Sequence, residues 1–144
     1  MKELARRLFH IGVGLSLITS GLLLPESIFL PLLWAITIIF LVLEVIRLRF
    51  PVVNYWFLRH LKVLLREKEA SRLTGGAYLL IAVVIAFLIF DKPIALTALS
   101  FTALGDPIAG IVGESGKRKW IRGKSLEGSG ACFLACLIFG TILA

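Results

Sequence analysis

The chain has 144 residues, of which 58% are apolar and 17% charged, with a mean hydropathy of +0.95. A soluble domain of this size has too little interior to hide so much apolar side chain, so that class is excluded. The net charge of +7, from 16 Lys/Arg against 9 Asp/Glu, collects between apolar blocks instead of spreading over a surface, which argues against a nucleic-acid binder.

Five apolar blocks follow one another, at about residues 8–24, 28–45, 76–90, 94–112 and 128–144. Each approaches the roughly 20 residues that a helix needs to cross the hydrocarbon, the first and third at the short end. Backbone groups must be paired in lipid, and no block shows the alternation of barrel strands, so the blocks are predicted to be helices. The expected fold is all-α: a polytopic transmembrane helical bundle of about five spans, forming a single membrane-embedded domain over residues 1–144. The start, with Lys2, Arg6 and Arg7 before an apolar run, imitates a secretory signal. No small-x-small cleavage pattern follows, and the run reads as a retained first helix.

Fifteen of the 16 basic residues lie before the first block or in the second-to-third and fourth-to-fifth connectors; only Lys92 falls elsewhere. The positive-inside rule then places the N-terminus and both long connectors in the cytosol, in the cell membrane if the source is prokaryotic. The chain closes on an apolar block, which leads us to expect further C-terminal helices in the parent protein. In residues 52–72, apolar and aromatic side chains alternate with Arg59, His60, Lys62 and Arg66 at near-helical spacing. That pattern predicts an amphipathic helix in the headgroup layer. Cys132 and Cys136, one turn apart with no His or Cys neighbours in sequence, are expected to serve packing.

Chemistry is best sought at polar residues that a bilayer penalises. Asp106 stands in Gly105-Asp106-Pro107 inside the fourth block, where a carboxylate costs about 2.5–3.5 kcal/mol. Gly105, Pro107 and Gly110 are expected to break or kink the helix there, either to line a polar cavity or merely to start a new helix capped by Asp106. The connector that follows combines Gly113, Gly116, Gly123 and Gly128 with Lys117, Arg118, Lys119, Arg122 and Lys124, bracketed by Glu114 and Glu127. Glycines let backbone N–H groups approach phosphate and cations neutralise it, so the connector suits a nucleoside triphosphate or pyrophosphate. Asp106 or Glu127 then suits Mg²⁺, which takes one or two carboxylates besides substrate phosphates. Gly123-Lys124-Ser125 is not a P-loop, because Arg118 stands where the first glycine belongs.

Thr74-Gly75-Gly76 and Gly128-Ser129-Gly130 open the third and fifth blocks and suit an approaching anion. Glu67 and Glu69 read as metal ligands, bases or solvated charges. Glu44 and Arg47, three apart, read as a structural ion pair. His10 is a structural or a catalytic residue, and His60 a face residue of the amphipathic helix.

In order along the chain, Arg6-Arg7-Leu8-Phe9-His10, Glu44-x-x-Arg47, Arg66-Glu67-x-Glu69, Thr74-Gly75-Gly76-x-Tyr78, Gly105-Asp106-Pro107-x-Ala109 and Lys124-Ser125-Leu126-Glu127-Gly128-Ser129 appear. Together they resemble the superfamily of CTP-dependent polyprenol and lipid kinases and phosphatidate cytidylyltransferases. The short chain and the Arg-Leu-Phe-His start look more like the kinases.

The resemblance implies CTP as co-substrate, Mg²⁺ or another divalent cation, and a lipid acceptor, an isoprenoid alcohol or diacylglycerol, at the cytosolic face. It implies Asp106 at the metal, Lys124 and Arg122 at the phosphates, and Glu127 at the metal or supporting the loop. Gly105, Gly123 and Gly128 would permit close approach, with Gly113, Lys117, Ser125, Thr74 and Gly75 also on the nucleotide. Glu69 and His10 are the candidate general bases. No nucleic-acid partner is expected, and a homo-oligomer is compatible with the pattern. The non-enzyme alternative, a small transporter or membrane scaffold, calls for polar residues through the whole bilayer depth, whereas here they gather at one face.

Overall fold

The computed structural model describes residues 2–61, 65, 67–116, 118 and 125–143, without the side chains of residues 2, 3, 67 and 68. Among them there is no strand. The helices are α1 (Lys2–Leu23), α2 (Glu26–Arg49), α3 (Pro51–Leu61), α4 (Gly75–Ile89), α5 (Lys92–Ser100), α6 (Asp106–Ser115) and α7 (Leu126–Leu143). A 3₁₀ turn occupies Glu67–Ala70, and a π turn over Phe101–Gly105 joins α5 to α6 without a break.

The predicted all-α membrane-type bundle is what forms. Three helical stretches are long and apolar enough to cross a membrane: Glu26–Arg49, Lys92–Ser115 and Leu126–Leu143. Gly75–Ile89 is apolar but shorter. With α1, these helices coincide with the five apolar blocks.

Prolines set several boundaries. Pro25 sits extended at the start of α2, where its carbonyl accepts the N–H groups of Ile28 and Phe29 at 3.0 and 2.9 Å. Phe50 is pushed extended by Pro51 behind it, which ends α2 and begins α3. Pro107 brings no N–H and its ring crowds the carbonyl of Ala103. Here the sequence-based expectation of a broken helix is corrected. The chain absorbs the proline by widening the preceding turn to a π turn, and the helix runs on.

The core lies between α1, α2, α4 and α5. Ile18, Phe29, Leu33, Val83, Leu99 and Ala103 are buried in it, and the rings of Phe29 and Phe87 meet at 5.0 Å and 58°. Gly14 lets α1 touch the π turn, since any side chain there would overlap Ala103. At the opposite end, Lys92 Nζ donates to the carbonyl of Leu24 at 2.9 Å and ties α5 to the α1–α2 turn.

The pair predicted at Glu44 and Arg47 is deeply buried, at 2% and 1% exposure. Arg47 Nε and Nη2 donate to the two Glu44 oxygens at 3.2 and 3.0 Å. Nη2 also donates to the Arg72 carbonyl at 2.7 Å, and Nη1 to the Glu69 carbonyl and Asn54 Oδ1, both at 3.0 Å. Glu44 Oε2 accepts the Thr74 N–H at 2.9 Å, and Asn54 Nδ2 donates to the Ala70 carbonyl at 2.9 Å. This cluster corrects the expected helix over residues 52–72. α3 is described over Pro51–Leu61, Leu65 is not helical, and the carbonyls of Glu69, Ala70 and Arg72 turn to the buried side chains instead of continuing a helix.

Removing one partner strands a buried charge, at a cost of about 3–5 kcal/mol. Arg47→Ala or Glu44→Ala should therefore sharply lower the unfolding temperature in detergent. A surface change such as Arg49→Ala should barely move it. Equal effects would show that the pair does not hold this end together.

Candidate functional site

The antiparallel α6–α7 pair is built on missing side chains. A Cβ on Gly128 would stand 2.7 Å from the Ala109 carbonyl oxygen and 2.9 Å from Gly113 Cα. The two helices therefore meet backbone to backbone, and Gly113 and Gly128 face each other. Gly105 is likewise buried, with a Cβ position 2.9 Å from Cys136 Sγ and 3.5 Å from Cys132 Sγ. The cysteines lie against this glycine, both free.

Ser125, buried beside them, caps α7. Its Oγ accepts the Gly128 N–H at 3.1 Å and its carbonyl accepts the Ser129 N–H at 3.2 Å. The Leu126 N–H donates to the Arg118 carbonyl at 3.0 Å, and the Arg118 N–H donates to Glu127 Oε1 at 3.3 Å. The basic connector is thus closed at its base, with Arg118 fastened over the start of α7. Lys117, Arg122, Gly123 and Lys124, expected at the phosphates, lie outside the described residues.

Asp106 opens α6 directly after the π turn and is exposed. Among the described residues no hydrogen bond or ion pair engages its carboxylate, although its helix is apolar enough to cross a membrane. Glu127 is far from it. Its Oε2 lies 2.8 Å from the Cβ position of Gly116, ten residues further along α6, or about 15 Å of helix. The two carboxylates do not face one ion. No group of three or more His, Cys, Asp or Glu gathers as a metal cage among the described residues.

Another candidate stands level with Asp106. α1 runs antiparallel to the π turn and α6, with Gly14 against Ala103 and the Arg7 guanidinium against Gly110. That register sets half-buried His10 at the height of Asp106 and Pro107. α4, of about the same length as the stretch from Lys92 to Asp106, starts after Thr74. There Glu69 Oε1 accepts the Gly75 N–H at 2.8 Å, and Thr74 Oγ1 accepts the Ala77 N–H at 3.4 Å. The start of α4 is thus capped by the chain's own side chains.

The sequence marks Arg7 as a topology signal and as part of the Arg-Leu-Phe-His start, and assigns it no site role. The structure pairs its Nη2 with Glu114 Oε1 at 2.8 Å, while Nη1 is buried without a partner among the described residues. The signal available in sequence was its place in Arg6-Arg7-Leu8-Phe9-His10.

The chain is 31% identical to CTP-dependent diacylglycerol kinase 1 of Saccharomyces cerevisiae over 147 residues, 95% of this chain and 50% of that protein. It is 30% identical to the protein of the same name from Eremothecium gossypii over 148 residues, covering 95% of this chain and 46% of the relative. An uncharacterised protein of Methanocaldococcus jannaschii is 32% identical over 140 residues, 94% of this chain and 69% of its own length. The chain is thus similar over nearly its whole length to proteins named as CTP-dependent diacylglycerol kinases. It spans about half the length of these two fungal relatives. No protein-family model and no solved structure matches it.

The glycine contact yields a test. Gly128→Ala presses a methyl onto backbone atoms that cannot swing aside, costing about 1–3 kcal/mol. Ser125→Ala removes one cap, costing about 1 kcal/mol. Thermal unfolding in detergent should rank Gly128→Ala as the less stable variant, and the reverse order would mean the helices are not in backbone contact.

Proposed function

We propose that this chain carries the membrane-embedded site of a CTP-dependent lipid kinase, with diacylglycerol as the acceptor. The observation that carries the reading is the similarity to two proteins named as CTP-dependent diacylglycerol kinases, which extends over 95% of the chain. The basic connector closed over the start of α7 at one end of an apolar bundle supports it. By the distribution of Lys and Arg, that end faces the cytosol.

In this reading Lys117, Arg122 and Lys124 neutralise the triphosphate of CTP above the start of α7. The acceptor's tails lie along the exposed apolar helix faces, and its hydroxyl reaches the level of Asp106. The hydroxyl oxygen forms a bond to the γ-phosphorus as the bond from that phosphorus to the β–γ bridging oxygen breaks, and CDP leaves. The hydroxyl proton passes to His10 or Glu69, the two candidate bases. Catalysis then rests on positioning and charge neutralisation.

A divalent cation fits this site in one way. Asp106, exposed and unpartnered among the described residues, suits Mg²⁺ that arrives with the nucleotide and completes its shell with phosphate oxygens and water. When bound, such an ion offsets negative charge on the transferring phosphoryl group. Glu127 serves instead to fasten the connector, through the Arg118 N–H.

Membranes holding the full-length protein, supplied with CTP and diacylglycerol, should move label from the γ-phosphate of CTP into lipid. Label entering only from the α-phosphate would replace phosphoryl transfer by cytidylyl transfer. Asp106→Asn should reduce the rate by about a hundredfold or more, equivalent to roughly 3 kcal/mol, with unchanged helix content. Full activity in that variant would remove Asp106 from the metal. Lys124→Ala should raise the apparent KM for CTP or lower kcat, and unchanged kinetics would remove Lys124 from the phosphates.

A further inference from the structure

α3 has two faces that do not match a helix in water. The inward one carries Asn54, Phe57, Leu58 and Leu61 at helical spacing. Asn54 bonds Arg47 and the Ala70 carbonyl, and the Phe57 ring lies 5.1 Å from the Arg47 guanidinium carbon. The outward face begins with Val52, Tyr55 and Trp56, exposed by 81%, 68% and 60%, and ends with exposed Arg59 and His60. The His60 ring sits 4.5 Å from that of Trp56.

Water disfavours the first half of that face, and hydrocarbon disfavours the second. Eleven residues, about 16 Å, are too few to span a bilayer. The headgroup layer accepts both halves, because Trp and Tyr settle there with a wet and a dry side. One extended residue, Phe50, separates α3 from the end of α2, so α3 starts where a membrane-length helix ends. Between residues 48 and 73 the sequence has six Lys/Arg against two Glu, a charge complementary to an anionic membrane surface.

We propose that α3 reads anionic lipid: its outward face binds anionic headgroups, and Asn54 passes that occupancy to the turn at residues 69–75. Asn54 is joined both to the Ala70 carbonyl and to the guanidinium that also holds the carbonyls of Glu69 and Arg72. The same turn delivers the Glu69 carboxylate to the Gly75 N–H at the start of α4. Seating α3 in the headgroup layer fixes Asn54, and with it the carboxylate. The effect on phosphorylation rests on the kinase reading; the effect on the turn does not.

The test uses the full-length protein in vesicles of phosphatidylcholine alone or with added phosphatidylglycerol. With Trp34 and Trp120 replaced by Phe, Trp56 alone among this chain's tryptophans reports. Brominated lipid should quench it, more strongly when phosphatidylglycerol is present. Amide hydrogen exchange over residues 67–75 should slow by about fivefold or more on adding phosphatidylglycerol. Asn54→Leu should keep the quenching and lose the exchange response.

A Tyr55→Ser, Trp56→Ser double variant, altered only at exposed positions, should also lose the exchange response. CTP-dependent phosphorylation should rise with phosphatidylglycerol in the parent and stay flat in both variants. An unquenched Trp56, as a protein occupant of the face would give, overturns the proposal. So does an exchange response that survives Asn54→Leu or the double variant. Absent phosphorylation in every sample would count against the kinase reading, while quenching and exchange still decide the lipid contact.

Discussion

A guanidinium removed from water must find an acceptor for each of its five N–H groups, and Arg47 finds five: two Glu44 oxygens, the Glu69 and Arg72 carbonyls, and Asn54 Oδ1. Glu44 spends its remaining capacity on the Thr74 N–H. Through these bonds one buried pair joins the end of α2, the short helix α3, the turn at residues 69–74 and the start of α4. A charge pair at such depth is weak as a source of net stability but strict in geometry, because any displaced partner leaves a desolvated charge behind. The path of the chain at this end follows from that strictness.

The α6–α7 side is held by a different device. There the helices approach by leaving side chains out, at Gly113, Gly128 and Gly105, and the buried surfaces carry almost no charge. Fixing the bundle by packing on one side and by a saturated ion pair on the other leaves Asp106 without a structural duty among the described residues. The π turn adds a wider turn just before it and keeps the helix whole across Pro107. In the kinase reading this division is functional: the paired charges define the frame, and the unpaired one is available to a cation and its phosphates.

Several features were legible in sequence because they depend on neighbours along the chain. Each apolar block became a helix, with α1 starting six residues earlier and α2 ending four residues later than the block, since length and hydropathy decide helix formation in a medium without water. The spacing of Glu44 and Arg47 announced an ion pair. The roles of the glycines were less legible. Gly105, Gly113 and Gly128 have the same signature whether they admit a phosphate or another helix, and the structure places a helix there. Nor did the pattern over residues 52–72 show the 3₁₀ turn at Glu67–Ala70, because Arg47 and Asn54, distant in sequence, take the carbonyls of Glu69, Ala70 and Arg72.

The sequence by itself determined that this is an apolar helical bundle, where its long apolar blocks lie, and that its motifs resemble those of the CTP-dependent lipid kinases. These are local properties of hydropathy, proline placement and residue order. Only the tertiary structure decided that Asp106 and Glu127 stand a helix-length apart, that α1 brings His10 to the height of Asp106, and that Arg47 is the junction of three segments. Those facts depend on the register between helices. Register is set where side chains from distant positions must share one buried space, and no stretch of sequence carries that information alone.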